Sequence, residues 1–182
     1  MIVLGIDPGF TYTGVVGLTE DGGELVGAMA FPSEKGVSTE VRAVRLARDA
    51  FYHAWGLQRG HGGVAAFCIE ENVSAGHGNS ATTMMQRELI GILCAMAVEH
   101  GWPVKRINNG TAKKVLTGNG HAHKPEMVAA ARAKFGVPSW RYMGAGCGER
   151  RPDGQPAMDE RAEAIADAIG VALAGVVKGA DK

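Results

Sequence analysis

The sequence predicts an α/β protein with a mixed five-stranded sheet and helices on both faces. Three short segments rich in β-branched and aromatic residues come first, separated by turn sequences, which indicates an antiparallel meander. Helical and strand-like segments then alternate, which is typical of parallel strands joined by crossover helices. With 182 residues, 46% of them hydrophobic, the chain has the size of one domain with a sizeable core. We therefore expect a single domain over residues 1–182.

The order of the elements follows from the spacing of apolar residues. Strands are predicted at 2–7, 12–18, 24–31, 64–69 and 103–107. Helical spacing predicts helices at 39–58, 81–100, 111–116, 125–135 and 159–177. Glycine-rich stretches predict loops at 74–80 and 136–158. Three antiparallel strands followed by two parallel ones is the ribonuclease H-like order.

Acidic residues end two predicted strands and recur in the last helix. Asp7 follows the apolar opening strand, and Glu70 ends the continuous apolar run of the fourth strand. Because an unpaired buried carboxylate costs several kcal/mol, such residues normally face a cation or a backbone nest; Asp7 can alternatively cap its own turn. In the last helix, Glu160, Glu163 and Asp167 share the side opposite the apolar stripe. Small neighbours there would let Asp167 approach the strand ends.

Carboxylates that converge repel one another, so the sequence predicts divalent cations among Asp7, Glu70 and Asp167. Hard oxygen ligands favour Mg²⁺ over zinc, and Mn²⁺ can substitute. Two such ions about 4 Å apart would activate water and stabilise the leaving oxygen in phosphodiester hydrolysis. Glu163 is the predicted fourth acid, with Glu160 as the alternative. Acids in a first helical turn also have a simpler interpretation, since they complement the helix dipole.

A net charge of zero conceals a basic segment. Between residues 101 and 151, ten basic residues stand against two acidic ones. A sustained stretch of one sign indicates an anionic partner, and nucleic acid is the leading candidate. Lys113, Lys114 and Lys124 lie in this segment and are the candidate DNA-binding residues. The simpler interpretation is that Lys113 and Lys114 solvate a short helix.

The chain resembles RuvC-type Holliday junction resolvases from residue 2 to about residue 175. The similarity lies in three acidic motifs and a lysine segment: Gly5-Ile6-Asp7-Pro8-Gly9 with Thr13-Gly14, Ile69-Glu70-Glu71, Ala166-Asp167-Ala168-Ile169, and residues 112–120 with Lys113 and Lys124 at the family's two lysine positions. The resemblance implies a magnesium-dependent endodeoxyribonuclease, with two ions per site, that resolves four-way or other branched DNA by paired nicks. The short sequence is compatible with a phage-type member.

Two positions depart from the family pattern. Ala164 stands where the family usually has its fourth acid, and Val73 stands where it often has an aromatic residue that stacks on an unpaired base. The identity of a fourth acid therefore stays open between Glu163 and Glu160. Base-stacking selectivity is not carried over from the family.

Other classes of protein share parts of this pattern. A sugar- or acetate-kinase-like phosphotransferase also opens on a strand ending in Asp, but it needs a second, ATP-binding domain for which 182 residues leave no room. We therefore expect no nucleotide cofactor. A YqgF-type ribosomal-RNA-processing nuclease, typically shorter and less basic, remains an alternative. So does a catalytically silent module that binds branched DNA, although the intact acids argue against it.

We expect a cytoplasmic homodimer with no membrane association. No apolar run is long enough for a span, and the first residues lack the order of a signal peptide. Three cysteines show no disulfide or zinc spacing: Cys68, Cys94 and Cys147.

A homodimer is expected because a two-fold enzyme places two sites on a two-fold junction. The predicted interface is the helix at 81–100, and its apolar residues exceed one packing face: Met84, Met85, Leu89, Ile92, Leu93 and Met96. The alternative is an entirely buried core helix.

Overall fold

The computed structural model describes residues 1–34, 36–71, 81–136 and 160–177. Its strands are β1 (Ile2–Asp7), β2 (Tyr12–Thr19), β3 (Leu25–Pro32), β4 (Val64–Glu71) and β5 (Val104–Asn108). Its helices are α1 (Thr39–Gln58), α2 (Ala81–Glu99), α3 (Asn109–Thr117), α4 (Lys124–Phe135) and α5 (Glu160–Val177). The strands lie in the order β3-β2-β1-β4-β5. The pairs β1–β2 and β2–β3 are antiparallel, and β1–β4 and β4–β5 are parallel, so the predicted mixed sheet is confirmed.

Side chains that alternate along the central strands divide the core between the two faces of the sheet. In β1, Val3 packs in one hydrophobic cluster, and Leu4 and Ile6 pack in the other. In β4, Cys68 and Phe67 divide in the same way, as the two-residue period of a strand requires. Residues of α3, α4 and α5 complete the first cluster, and residues of α1 and α2 complete the second. Helices therefore cover both faces, as predicted.

Helix α5 lies against β1 and β2 at backbone contact distance. A Cβ atom added to Gly14 would lie 2.1 Å from the carbonyl oxygen of Ala164, and one added to Gly5 would lie 2.2 Å from that of Ala168. No side chain fits at such a separation, so both positions require glycine. The small residues predicted to bring this helix close to the sheet do so, and Asp167 arrives at the end of β1 with them.

Several elements extend beyond their predicted bounds, and β4 and α3 do so for clear local reasons. Strand β4 continues to Glu71 because its pairing with β5 runs on to the Glu71–Asn108 position, which places Glu70 inside the strand. Helix α3 begins at Asn109, earlier than predicted, because the side chain of Asn108 accepts a hydrogen bond from the Gly110 amide at 2.9 Å. An Asn at the N-cap satisfies an otherwise unpaired amide of the first turn.

Some sequence predictions fall outside the described residues. The loop at 74–80 lies there, as do Cys147 and, apart from Gly136, the loop at 136–158. Cys68 and Cys94 are described, and both are free thiols. Among the helices that the structure describes, each is too short or too polar to cross a membrane.

Candidate active site

Two carboxylates lie side by side where the central parallel strands end. The pairing of β1 with β4 aligns Ile6 with Ile69, so the residues that follow, Asp7 and Glu70, are neighbours on adjacent strands. Asp7 lies two residues after Gly5 and Glu70 two residues after Cys68, both of which face α5, so their side chains emerge on the face of the sheet that α5 covers. Glu70 is buried and Asp7 is half-buried.

Helix α5 contributes acids to the same place. A cavity of about 440 Å³ is lined by Asp7 together with Glu160, Glu163 and Asp167 of this helix. Glu163 is buried, only 8% exposed, whereas Glu160 is exposed. The structure therefore brings Asp7, Glu163 and Asp167 to one cavity, next to Glu70 on the neighbouring strand, and Glu163 is more buried there than Glu160.

The acids are close enough to repel one another. Loss of solvation raises the pKa of Asp7 well above its ordinary value, and repulsion from Glu70 and Asp167 raises it further. Loss of solvation, followed by repulsion from Glu70, raises the pKa of Asp167 to about 6. Burial also raises the pKa of Glu70. Acids from distant parts of the chain thus form one electrostatic unit.

Two of the three candidate lysines lie among these acids. The ammonium group of Lys124 donates a hydrogen bond to Glu163 and forms an ion pair with it, which raises the pKa of Lys124. Lys113, half-buried on α3, attracts Asp167 and Glu70 and opposes the rise in their pKa values. Lys114 is exposed to solvent on the same helix. Positive charge therefore reaches the cavity itself.

Two kinds of residue at this site are not among those predicted from the sequence. Asn109, the first residue of α3, donates a hydrogen bond from Nδ2 to Oε1 of Glu70 at 2.9 Å. The aromatic residues Phe10 and Tyr12 line the cavity. Phe10 and Tyr12 could have been predicted from their closeness in sequence to Asp7. The contact of Asn109 with Glu70 depends on the pairing of β5 with β4.

The acidic side chains have the chemistry that a divalent cation requires, but their arrangement does not surround one. Within the described ranges, no three acidic, histidine or cysteine side chains are arranged so as to hold a metal ion. Glu163 is engaged with Lys124, and Glu70 with Asn109. Burial and mutual repulsion nevertheless raise the pKa values of the Asp7 and Asp167 carboxylates. Positive charge beside these carboxylates would stabilise their ionised forms. Hard carboxylate oxygens of this kind suit Mg²⁺ or Mn²⁺.

The strand order and the carboxylates where β1 and β4 end define a ribonuclease H-like protein with a candidate metal site. The crossover junction endodeoxyribonuclease RuvC of Rhodopirellula baltica is 26% identical to the chain over 145 residues, which cover 75% of each protein. The RuvC of an Anaeromyxobacter species is 33% identical over 141 residues, which cover 75% of this chain and 64% of the relative. The chain is thus similar to RuvC proteins over three quarters of its length.

Solved structures agree with the fold. The structure of Thermus thermophilus RuvC in complex with Holliday junction substrate matches with a TM-score of 0.67 at 19% identity, covering 100% of this chain and 96% of that one. No family model matches the chain. The ribonuclease H-like fold predicted from the order of the elements is thereby confirmed.

Proposed function

We propose that this protein is a metal-dependent endonuclease that resolves Holliday junctions or other branched DNA by paired phosphodiester nicks. The observation that carries the proposal is the meeting of Asp7, Glu70 and Asp167, from three separate elements, beside Lys113 and Lys124. Both curated relatives are crossover junction endodeoxyribonucleases by name, which supports branched DNA as the substrate.

In this proposal the acids hold two Mg²⁺ ions per site. Asp7, Glu70 and Asp167 are the ligands, with Glu163 as the fourth acid. The bound ions supply an activated water and compensate the charge that develops on the leaving oxygen. Lys124 neutralises Glu163 in the metal-free protein, and together with Lys113 it contributes positive charge toward the DNA backbone.

A nicking assay tests this function. The protein is incubated with labelled four-way junction, linear duplex and single-stranded DNA in Mg²⁺, in Mn²⁺ and in EDTA. We expect two symmetric nicks in the junction with either metal and none in EDTA. Absence of nicking in every branched DNA, despite binding, would support the silent DNA-binding module, and preferential cleavage of structured ribosomal RNA would support the YqgF-type alternative.

Replacing Lys113 and Lys124 together with Ala should weaken binding to four-way junctions of every sequence. Contacts to phosphate position a protein without reading bases, and each lost contact lowers the slope of log affinity against log salt by roughly one unit. Fluorescence anisotropy over a series of salt concentrations measures this slope. Arg59→Ala, an exposed change just after α1 and outside the basic segment, is the control and should keep the wild-type slope. Normal binding with altered cutting positions would show that the lysines act elsewhere.

We also propose a homodimer that associates through α2. Leu89 and Leu93 of this helix are in the core, whereas Met84 is 57% and Val98 is 66% exposed. Three further apolar residues are half-buried: Met85, Ile92 and Met96. The helix therefore has apolar surface left to cover, and a two-fold pair of sites fits a two-fold junction. Light scattering should give a dimer mass at micromolar concentration; a monomer mass with full junction cleavage would contradict the proposal.

We also propose that the protein is cytoplasmic and forms one domain. The free thiols of Cys68 and Cys94 fit the reducing conditions of the cytoplasm, where we place the protein. We treat residues 1–182 as one nuclease domain, since both described hydrophobic clusters pack on the same sheet.

A further inference from the structure

Two aromatic rings share the cavity with the acids. Phe10 lies in the turn after β1, and Tyr12 is the first residue of β2. Both residues line the 440 Å³ cavity, and both are half-buried. The turn between them is held by the buried Thr13, whose hydroxyl donates a hydrogen bond to the carbonyl of Gly9 at 3.0 Å. Aromatic surface is thus available to a ligand within the same cavity as the acids.

Each ring is held by an arginine that does not itself line the cavity. The guanidinium carbon of Arg42 lies 4.2 Å from the ring centre of Phe10, and its Nη2 donates a hydrogen bond to the Ser33 hydroxyl at 2.6 Å. The guanidinium carbon of Arg161 lies 5.6 Å from the ring centre of Tyr12. Cation–π contacts of this kind fix the orientation of a ring. Binding to rings that are already fixed costs less conformational entropy.

Arg42 differs from the arginines that follow it on α1. Arg45 is paired with Glu34 and Arg48 with Asp49. Within the part of the chain that the structure describes, Arg42 forms no ion pair, and its buried Nε lacks a hydrogen-bond partner. Its positive charge lies directly against the Phe10 ring, and this favours an anionic ligand over a neutral one.

From this geometry we propose that Phe10 and Tyr12 form a stacking platform for a nucleobase of the cleaved strand, next to the scissile phosphate. The inference rests on the proposed function, because it takes the acids of the same cavity to be the place where that phosphate is held. Every base has a π face, so stacking on an aromatic ring stabilises an unstacked base without reading its identity. A base inside a continuous duplex is covered on both faces by its neighbours. The platform therefore favours strands that are distorted at a branch point.

A double-mutant cycle between the ring and the base tests the platform. Phe10→Leu removes the ring and keeps an apolar side chain, and an abasic site, placed in turn at each position on either side of the crossover, removes the base. Affinity is measured by fluorescence anisotropy in EDTA, so that no nicking occurs. At one position we expect the wild type to bind the abasic junction about 10-fold more weakly than the intact one. Phe10→Leu should bind both junctions equally.

Further variants separate stacking from a structural effect. Tyr12→Leu should lose the discrimination between the two junctions, and Tyr12→Phe should keep it. Phe10→Trp retains a ring, and its fluorescence should be quenched by the intact junction but not by the abasic one. Tyr52→Leu is the matched control, because Tyr52 is an aromatic residue of α1 that is 57% exposed and does not line the cavity.

Two different failures can be told apart. The platform is wrong if Phe10→Leu and Tyr12→Leu discriminate against the abasic junction as strongly as the wild type, or if the Phe10→Trp fluorescence responds equally to both junctions. Should the wild type neither bind nor nick any branched DNA, the proposed function itself fails. The Phe10→Trp measurement keeps the test decisive even where Phe10→Leu does not fold.

Discussion

Asp7→Asn, Glu70→Gln and Asp167→Asn should each slow junction nicking by about 10³-fold, equivalent to about 4 kcal/mol of transition-state stabilisation. In the proposed function, each change removes one negatively charged ligand of the metal ions. Single-turnover cleavage of a labelled four-way junction in Mg²⁺ measures the rate. Binding in EDTA should be retained, because the neighbouring lysines are untouched and one charge that repels phosphate is gone.

The comparison needs an acid that lies away from the site. Glu24→Gln serves as this control, since Glu24 is exposed just before β3. Glu163→Gln should reduce the nicking rate more than Glu160→Gln, because Glu163 is the buried member of the pair. The reverse order would assign the fourth acid to Glu160, and a wild-type rate in any of the three main variants would refute the metal-site assignment.

Asp167→Asn should also stabilise the metal-free protein at pH 7. The pKa of Asp167 rises from 3.8 to about 6 on folding, chiefly through loss of solvation and then through repulsion from Glu70. The folded protein therefore holds this proton more tightly than the unfolded chain does. The contribution of the group to stability is greatest below its unfolded pKa and is lost as the pH rises through about 6. At pH 7 the resulting cost is at most on the order of 3 kcal/mol.

Chemical denaturation in EDTA measures this effect. The variant should exceed the wild type in the free energy of unfolding at pH 7, and the difference should shrink toward zero as the pH approaches 4. Added Mg²⁺ should stabilise the wild type more than the variant, because a ligand stabilises only the state that binds it. Glu24→Gln should show neither effect. A variant less stable than the wild type at pH 7 in EDTA would contradict the predicted repulsion.

The positions of Asp7 and Glu70 were predictable because they depend on local rules. An apolar run ending in an acid indicates a strand that delivers a carboxylate, and parallel strands end at the same edge of a sheet. The close packing of α5 on the sheet was predictable for a similar reason. The alanines and glycines around Asp167 have no large side chains that would separate the helix from the sheet.

Contacts that depend on helix packing were not predictable in the same way. Lys124 and Glu163 are 39 residues apart, and their ion pair depends on how α4 lies against α5. The basic segment indicated a DNA-binding surface but not that two of its lysines would lie among the acids. The sequence equally left open whether Phe10 faces the core or the cavity, because the turn after β1 that carries it has no periodicity.

Because α5 contacts the glycines of β1 and β2, these two positions tolerate substitution less well than the surrounding core does. A substitution in the surrounding core can be absorbed by neighbouring side chains that adopt other rotamers. Gly5 and Gly14 meet main-chain atoms of the helix, which can yield only if the whole helix moves. One methyl group at either position would displace every acid that α5 carries. In redesigning this chain, the interior can be varied widely, but these two glycines set the alignment of α5 and its acids and should be left unchanged.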